Sequence, residues 1–156
     1  MKKLPIGIQI IRDILTAGYV YVDKTQFALT LIENGKHYFL SRPRRFGKSL
    51  FVSTLKEIFS GNKELFKGCH IYNSGYGWPV HPVLHFDFGE IANKTTEKLE
   101  AHLSAIVARI GALQGINVEG PSVEFQLAVL IEELSKQGQV AILVDEYDSP
   151  LIDHLN

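Results

Sequence analysis

One nine-residue stretch constrains this chain more than any other: Ser41-Arg42-Pro43-Arg44-Arg45-Phe46-Gly47-Lys48-Ser49. Two contrasting patterns bracket it. His37-Tyr38-Phe39-Leu40 is aromatic and apolar, which predicts a short buried strand. Leu50, Phe51, Leu55, Ile58 and Phe59 then recur at helical spacing, and Gly61 supplies a stop. A strand, a tight loop, Gly-Lys-Ser and a helix make a place for a phosphate. Gly47 has no Cβ, so the backbone can approach an anion and turn its N–H groups inward. A helix opening at Lys48 adds free N–H groups and the positive end of its dipole. On this reading Lys48 reaches the terminal phosphates of a nucleotide, and the Ser49 hydroxyl completes the coordination of Mg²⁺. The usual spacing, G-x-x-x-x-G-K-[ST], puts its first glycine at Arg42, however, and Pro43 fixes a backbone angle beside it. Taken alone, the stretch also suits a basic surface turn before an ordinary helix.

A second stretch supplies what the first lacks. Val140-Ala141-Ile142-Leu143-Val144 is apolar and rich in β-branching, and Asp145-Glu146 follows at once. That pattern predicts a buried parallel strand with acids at its C-terminal edge, where open α/β sheets bind ligands. Asp145 is the candidate metal-binding carboxylate, acting through a water, and Glu146 the candidate general base.

The two stretches together resemble the bacterial AAA-ATPase-like family. In that family R-P-R-R-F-G-K-S stands in for the standard Walker A, as in Arg42 to Ser49, and D-E-Y-D-x-P marks Walker B, as in Asp145-Glu146-Tyr147-Asp148-Ser149-Pro150. Tyr21-Val22-Asp23-Lys24-Thr25 is similar to the Y-V-D-K-T that members carry upstream. The likeness runs from about Leu4 to Pro150 and makes Arg42 the family's own variant. It implies an α/β P-loop NTPase with three α/β/α layers and a mostly parallel sheet. It implies ATP, rather than GTP, bound with Mg²⁺ by Arg42, Pro43, Arg44, Arg45, Phe46, Gly47, Lys48, Ser49 and Leu50. Ser49 and Asp145 would hold the metal, and Glu146 with Lys48 would carry the catalysis. The adjacent Asp145-Glu146 resembles the P-loop branch that keeps its catalytic glutamate beside the Walker B aspartate. That branch places a further strand, with a polar sensor residue, between the P-loop strand and the Walker B strand.

The resemblance also sets expectations for organisation. Residues 1–36 form a helical arm, and residues 37–156 an incomplete nucleotide-binding core that stops after the Walker B strand. The exposed edges of such a sheet predict poor stability or pairing with a neighbouring chain. Family members are typically longer, and many carry a C-terminal domain resembling PD-(D/E)XK nucleases, a route to nucleic acid. An arginine finger would come from beyond Asn156 or from another subunit, which puts a homo-oligomer among the expectations.

Composition narrows the alternatives. A net charge of −1 argues against a domain-wide nucleic-acid surface, so Arg42, Arg44, Arg45 and Lys48 form a local anion site on a neutral background. Cys69 is the single cysteine and can form no internal disulfide; no apolar run approaches a membrane span. The cytoplasm is the expected compartment. Two other functions stay open: a nucleotide-dependent switch with little hydrolysis, and a nucleic-acid module gripping phosphate with Arg42, Arg44 and Arg45. A small-molecule kinase is conceivable, but no acceptor motif names its substrate.

The remaining elements follow in order. Ile8, Ile10, Ile11, Ile14 and Leu15 predict a short amphipathic helix closed by Gly18. Tyr19 to Val22 reads as extended. Asp23 and Gln26 predict a capping box for a helix burying Phe27, Leu31 and Ile32. Tyr19 and Tyr21 suit either a wall for the adenine or the edge of the core, with the core favoured. Residues 61–82 read as a packed connector. His70, His81 and His85 are read as structural rather than zinc ligands. Residues 83–88 predict a strand whose Asp87 either supports the metal site or caps the next turn. Leu99, Leu103, Ile106, Ile110 and Leu113 mark one helix; Pro121 and Ser122 open another, which Gly138 closes.

Overall fold

The computed structural model describes residues 2–41, 43, 45–89 and 95–147. Arg42, Arg44, and Asp148, Ser149 and Pro150 of the second motif lie outside the described residues. The chain divides into two compact units, Met1–Val80 and His81–Asn156.

The first unit is helical. It contains α1 (Ile11–Thr16), α2 (Thr25–Asn34), α3 (Lys48–Phe59) and two 3₁₀ turns, Lys63–Phe66 and His70–Asn73. Ile11, Ala28, Ile58, Phe66, Cys69, Ile71 and Trp78 form its buried centre, with Tyr21, Leu50 and Phe51 packed around them. Fully burying a side chain the size of Ile or Phe contributes about 1.5–3 kcal/mol, so this cluster dominates the unit's stability. Polar contacts fix the register of the pieces. Ser53 Oγ accepts from the Ile11 N–H at 3.1 Å, and Arg12 grips Glu57 with Nε at 3.0 Å and Nη2 at 2.6 Å. Residues 61–82 are the packed connector the sequence suggests, because Phe66, Ile71 and Trp78 are buried in it.

Three expectations for this unit need correction. Residues 37–40 are not a strand: Tyr38 is 52% exposed and Phe39 70%. Aromatic side chains this exposed, on a segment outside the described sheet, do not make the buried strand that the pattern suggests. The capping box is also not made. The residue preceding α2 is Lys24, with no side-chain cap, and Asp23 instead accepts from the Thr25 N–H and hydroxyl, both at 2.8 Å. Finally, α2 buries Thr25 and Ala28 rather than Phe27, which is largely exposed.

The second unit holds β1 (Val83–Asp87), α4 (Thr96–Leu113), α5 (Val123–Ser135) and β2 (Ala141–Asp145). The two strands pair in parallel, from Val83 against Ala141 to Asp87 against Asp145. Two helices between parallel strands are the crossover such a pairing requires. Thr95 Oγ1 caps α4 through the Lys98 N–H, and Ser122 Oγ caps α5 through the Phe125 N–H. Leu84, Phe86, Val107, Val118, Leu130 and Leu134 form the core. The sheet is smaller than the mostly parallel, three-layer arrangement expected: two strands are present among the described residues. Nor is β2 buried throughout, since Ile142 is 48% exposed and Val144 45% while Leu143 and Asp145 are buried. Its apolar run reads as doubly buried, but Ile142 and Val144, on one face of it, are about half exposed. Among the described residues no helix is long and apolar enough to cross a membrane.

Candidate functional site

The residues that the sequence marks as functional fall in two places, one in each unit. In the first, the loop enters α3 through two left-handed residues, Arg45 at φ 66° and Gly47 at φ 75°. Gly47 immediately precedes the helix, with ψ 27°, and the Phe51 N–H donates to its carbonyl at 3.0 Å. That backbone angle strains any residue with a Cβ, which explains the glycine. The space around Gly47 is open: a Cβ placed there would meet nothing within 4 Å.

The start of α3 is free of competition. No side chain caps it and no acidic residue sits in its first turn. The first-turn amides of Lys48, Ser49 and Leu50 have no partner within the helix. Half-buried Lys48 and Ser49 keep Nζ and Oγ free of hydrogen bonds among the described residues. An uncapped positive helix end, a lysine and a hydroxyl are what a phosphate with its cation would use. Pro43 accepts from the Phe46 N–H at 3.4 Å, and Phe46 stands exposed beside it.

In the second unit the acids gather where β1 and β2 end. Asp145 is 6% exposed; Phe88 N–H donates to its carbonyl at 3.1 Å, and Glu146 N–H to its Oδ1 at 3.0 Å. Glu146 itself sits at φ 52°, a conformation costly for a residue with a Cβ. Asp87 Oδ1 accepts from the Gly89 N–H at 2.9 Å, so Asp87 forms the turn after β1. A Cβ at Gly89 would lie 3.2 Å from Asp87 Oδ1, 3.2 Å from Glu146 Cγ and 3.4 Å from Glu146 Cβ. Gly89 therefore keeps room for Glu146, a role that no motif in the sequence signals. Among the described residues no three His, Cys, Asp or Glu side chains are grouped to hold a metal. Of the histidines read as structural, His81 bonds the Gln139 carbonyl through Nδ1 at 2.9 Å.

The upstream Tyr21-Val22-Asp23-Lys24-Thr25 holds the first unit together. Asp23 Oδ2 accepts from the His70 N–H at 2.6 Å, and Thr25 Oγ1 accepts from the Ile71 N–H at 3.1 Å. Burial pushes the Asp23 carboxyl up, but the hydrogen bonds from His70, and from the Thr25 N–H and hydroxyl, outweigh it and hold the group below its ordinary 3.8. Tyr21 packs against the core, and burial raises its hydroxyl above the usual phenol value. The core reading of Tyr21 is thus the one its surroundings support.

Comparison with known proteins adds to this picture. The family described as "Predicted AAA-ATPase" matches residues 5–156. A curated relative, "Uncharacterized protein in vnfD 5'region" of Azotobacter chroococcum mcd 1, is 44% identical over 157 positions. The match covers 99% of this chain and 30% of that protein, so the chain spans less than a third of its relative's length. No solved structure matches.

Proposed function

The chain belongs to the predicted AAA-ATPase family, and from that premise we propose that it binds ATP with Mg²⁺ and hydrolyses it. The observation that carries this reading is the open, uncapped start of α3, with Gly47 left-handed and Lys48 and Ser49 at the helix mouth. The amides of Lys48, Ser49 and Leu50 and the Lys48 ammonium bind and orient the β- and γ-phosphates. Pro43 and Phe46, with Arg42, Arg44 and Arg45, complete the loop, and the arginines add charge against the phosphates. The donors fit a small hard cation, because Ser49 and Asp145 offer oxygen and leave the remaining positions to phosphate and water. When bound, Mg²⁺ neutralises charge developing on the transferred phosphoryl group. The Glu146 carboxylate accepts a proton from the attacking water, and the bond from its own N–H to Asp145 Oδ1 fixes where its backbone begins.

Hydrolysis then drives or regulates an attached effector domain, nuclease-like if the family pattern extends to this protein. The compartment we propose for this activity is the cytoplasm, where ATP is supplied. The test is release of inorganic phosphate from ATP·Mg²⁺ by the full protein. Glu146→Gln should lower turnover by about 10²-fold or more with nucleotide still bound, whereas Lys48→Ala should weaken binding about a hundredfold and lower turnover as well. Turnover unchanged in Glu146→Gln would remove Glu146 from the mechanism.

A further inference from the structure

The second unit contains a cavity that the ATP reading does not use. Residues His85 and Asp87 of β1 alternate onto one side of the strand, and α4 brings His102, Ala105, Ile106 and Arg109 to the same space. The helical residues are spaced three, four and seven apart, one face of the helix. Together they line an open cleft of about 460 Å³, in which His102, Ala105 and Arg109 remain exposed. Its lining is not that of a packing gap, since His85, Asp87, His102 and Arg109 are all polar and ionisable.

Arg109 decides the ligand's charge. A guanidinium offers a planar fork of N–H donors suited to an oxyanion. Both ion pairs among the described residues, Arg12–Glu57 and Lys136–Glu133, lie elsewhere, so no described carboxylate neutralises Arg109. Asp87 shares the cavity without pairing to it, and its Oδ1 is held by the Gly89 N–H. His85, Asp87 and His102 are metal-binding residue types, yet they are not grouped closely enough to hold an ion. A cation is thereby disfavoured, and an anion with a hydrogen-bond donor of its own fits best.

We propose that this cavity binds a small organic phosphate. Arg109 takes the phosphoryl oxygens, His102 adds a second donor, and Asp87 accepts from a hydroxyl on the same molecule. His102 and Arg109 stand about 10 Å apart along the helix axis, so a molecule engaging both is larger than bare phosphate. Ala105 and Ile106 offer apolar contact between them.

The experiment is a ¹H–¹⁵N NMR titration of the nucleotide-free chain with ribose 5-phosphate, beside inorganic phosphate and ribose alone. Saturating shifts should centre on residues 83–87 and 102–109, with ribose 5-phosphate binding tighter than either control. Arg109→Ala should weaken binding about tenfold or more, and Arg109→Lys by less, because a point charge replaces the fork. Lys48→Ala should leave the titration unchanged, which separates this cavity from the nucleotide site. Both Arg109 variants change an exposed side chain, and their spectra report whether the fold survives. Absence of shifts at these residues, shifts unaffected by Arg109→Ala, or shifts lost in Lys48→Ala would overturn the proposal. Inorganic phosphate binding as tightly as ribose 5-phosphate would remove the role given to Asp87.

Discussion

At the scale of single residues, close approach and hydrogen bonding decide more than residue type. Gly89 is the sharpest case. A methyl group there would press on Glu146 Cγ at 3.2 Å, and Glu146 is already held at an unfavourable φ of 52°. Gly89→Ala should displace the carboxylate by a few tenths of an ångström. We expect about tenfold slower ATP turnover with nucleotide affinity unchanged, measured by phosphate release and calorimetry. Thr25 is the structural counterpart. It is fully buried, donates to Asp23 and accepts from the Ile71 N–H. Thr25→Val keeps the shape and strands that N–H, so denaturant unfolding should show a loss of about 1–3 kcal/mol. Acid should act through the same cluster. Asp23 titrates below its ordinary 3.8 in the folded chain, so its contribution is present above that pH and is lost as pH falls through the lower folded value. Asp23→Asn should flatten the stability profile in that acid window.

At the scale of elements, periodic pattern and local chemistry were legible while partners distant in sequence were not. The apolar spacing of α3 and α5, the stop at Gly61 and the cap at Ser122 all appear where the sequence puts them, because each is a local event. Ser122→Ala should therefore cost about 1 kcal/mol in thermal or denaturant unfolding, whereas Gln26→Ala should cost little, since Gln26 caps nothing. The strand reading of residues 37–40 failed because an aromatic run does not by itself decide burial: Tyr38 and Phe39 are both more than half exposed. The buried reading of β2 failed in the same way. Ile142 and Val144 look like core residues in sequence, and only the packing shows that they are half exposed. The bond from the His70 N–H to Asp23 spans 47 residues and leaves no sequence signal. For the candidate site, Gly47, Lys48, Ser49, Asp145 and Glu146 are readable as chemistry, but the spatial service of Gly89 is not.

At the scale of the whole molecule, a near-neutral chain concentrates its candidate phosphate chemistry in two compact units. Lys48 and Ser49 lie in the first, Asp145 and Glu146 in the second. Binding and turnover should thus depend on different residues. The measurement that tests this most directly is calorimetric titration of the folded chain with ATP·Mg²⁺, beside Lys48→Ala and Glu146→Gln. The account predicts a dissociation constant on the order of micromolar, about a hundredfold weaker in Lys48→Ala and unchanged in Glu146→Gln. No binding by the folded chain, or binding by Lys48→Ala as tight as the parent, would contradict it.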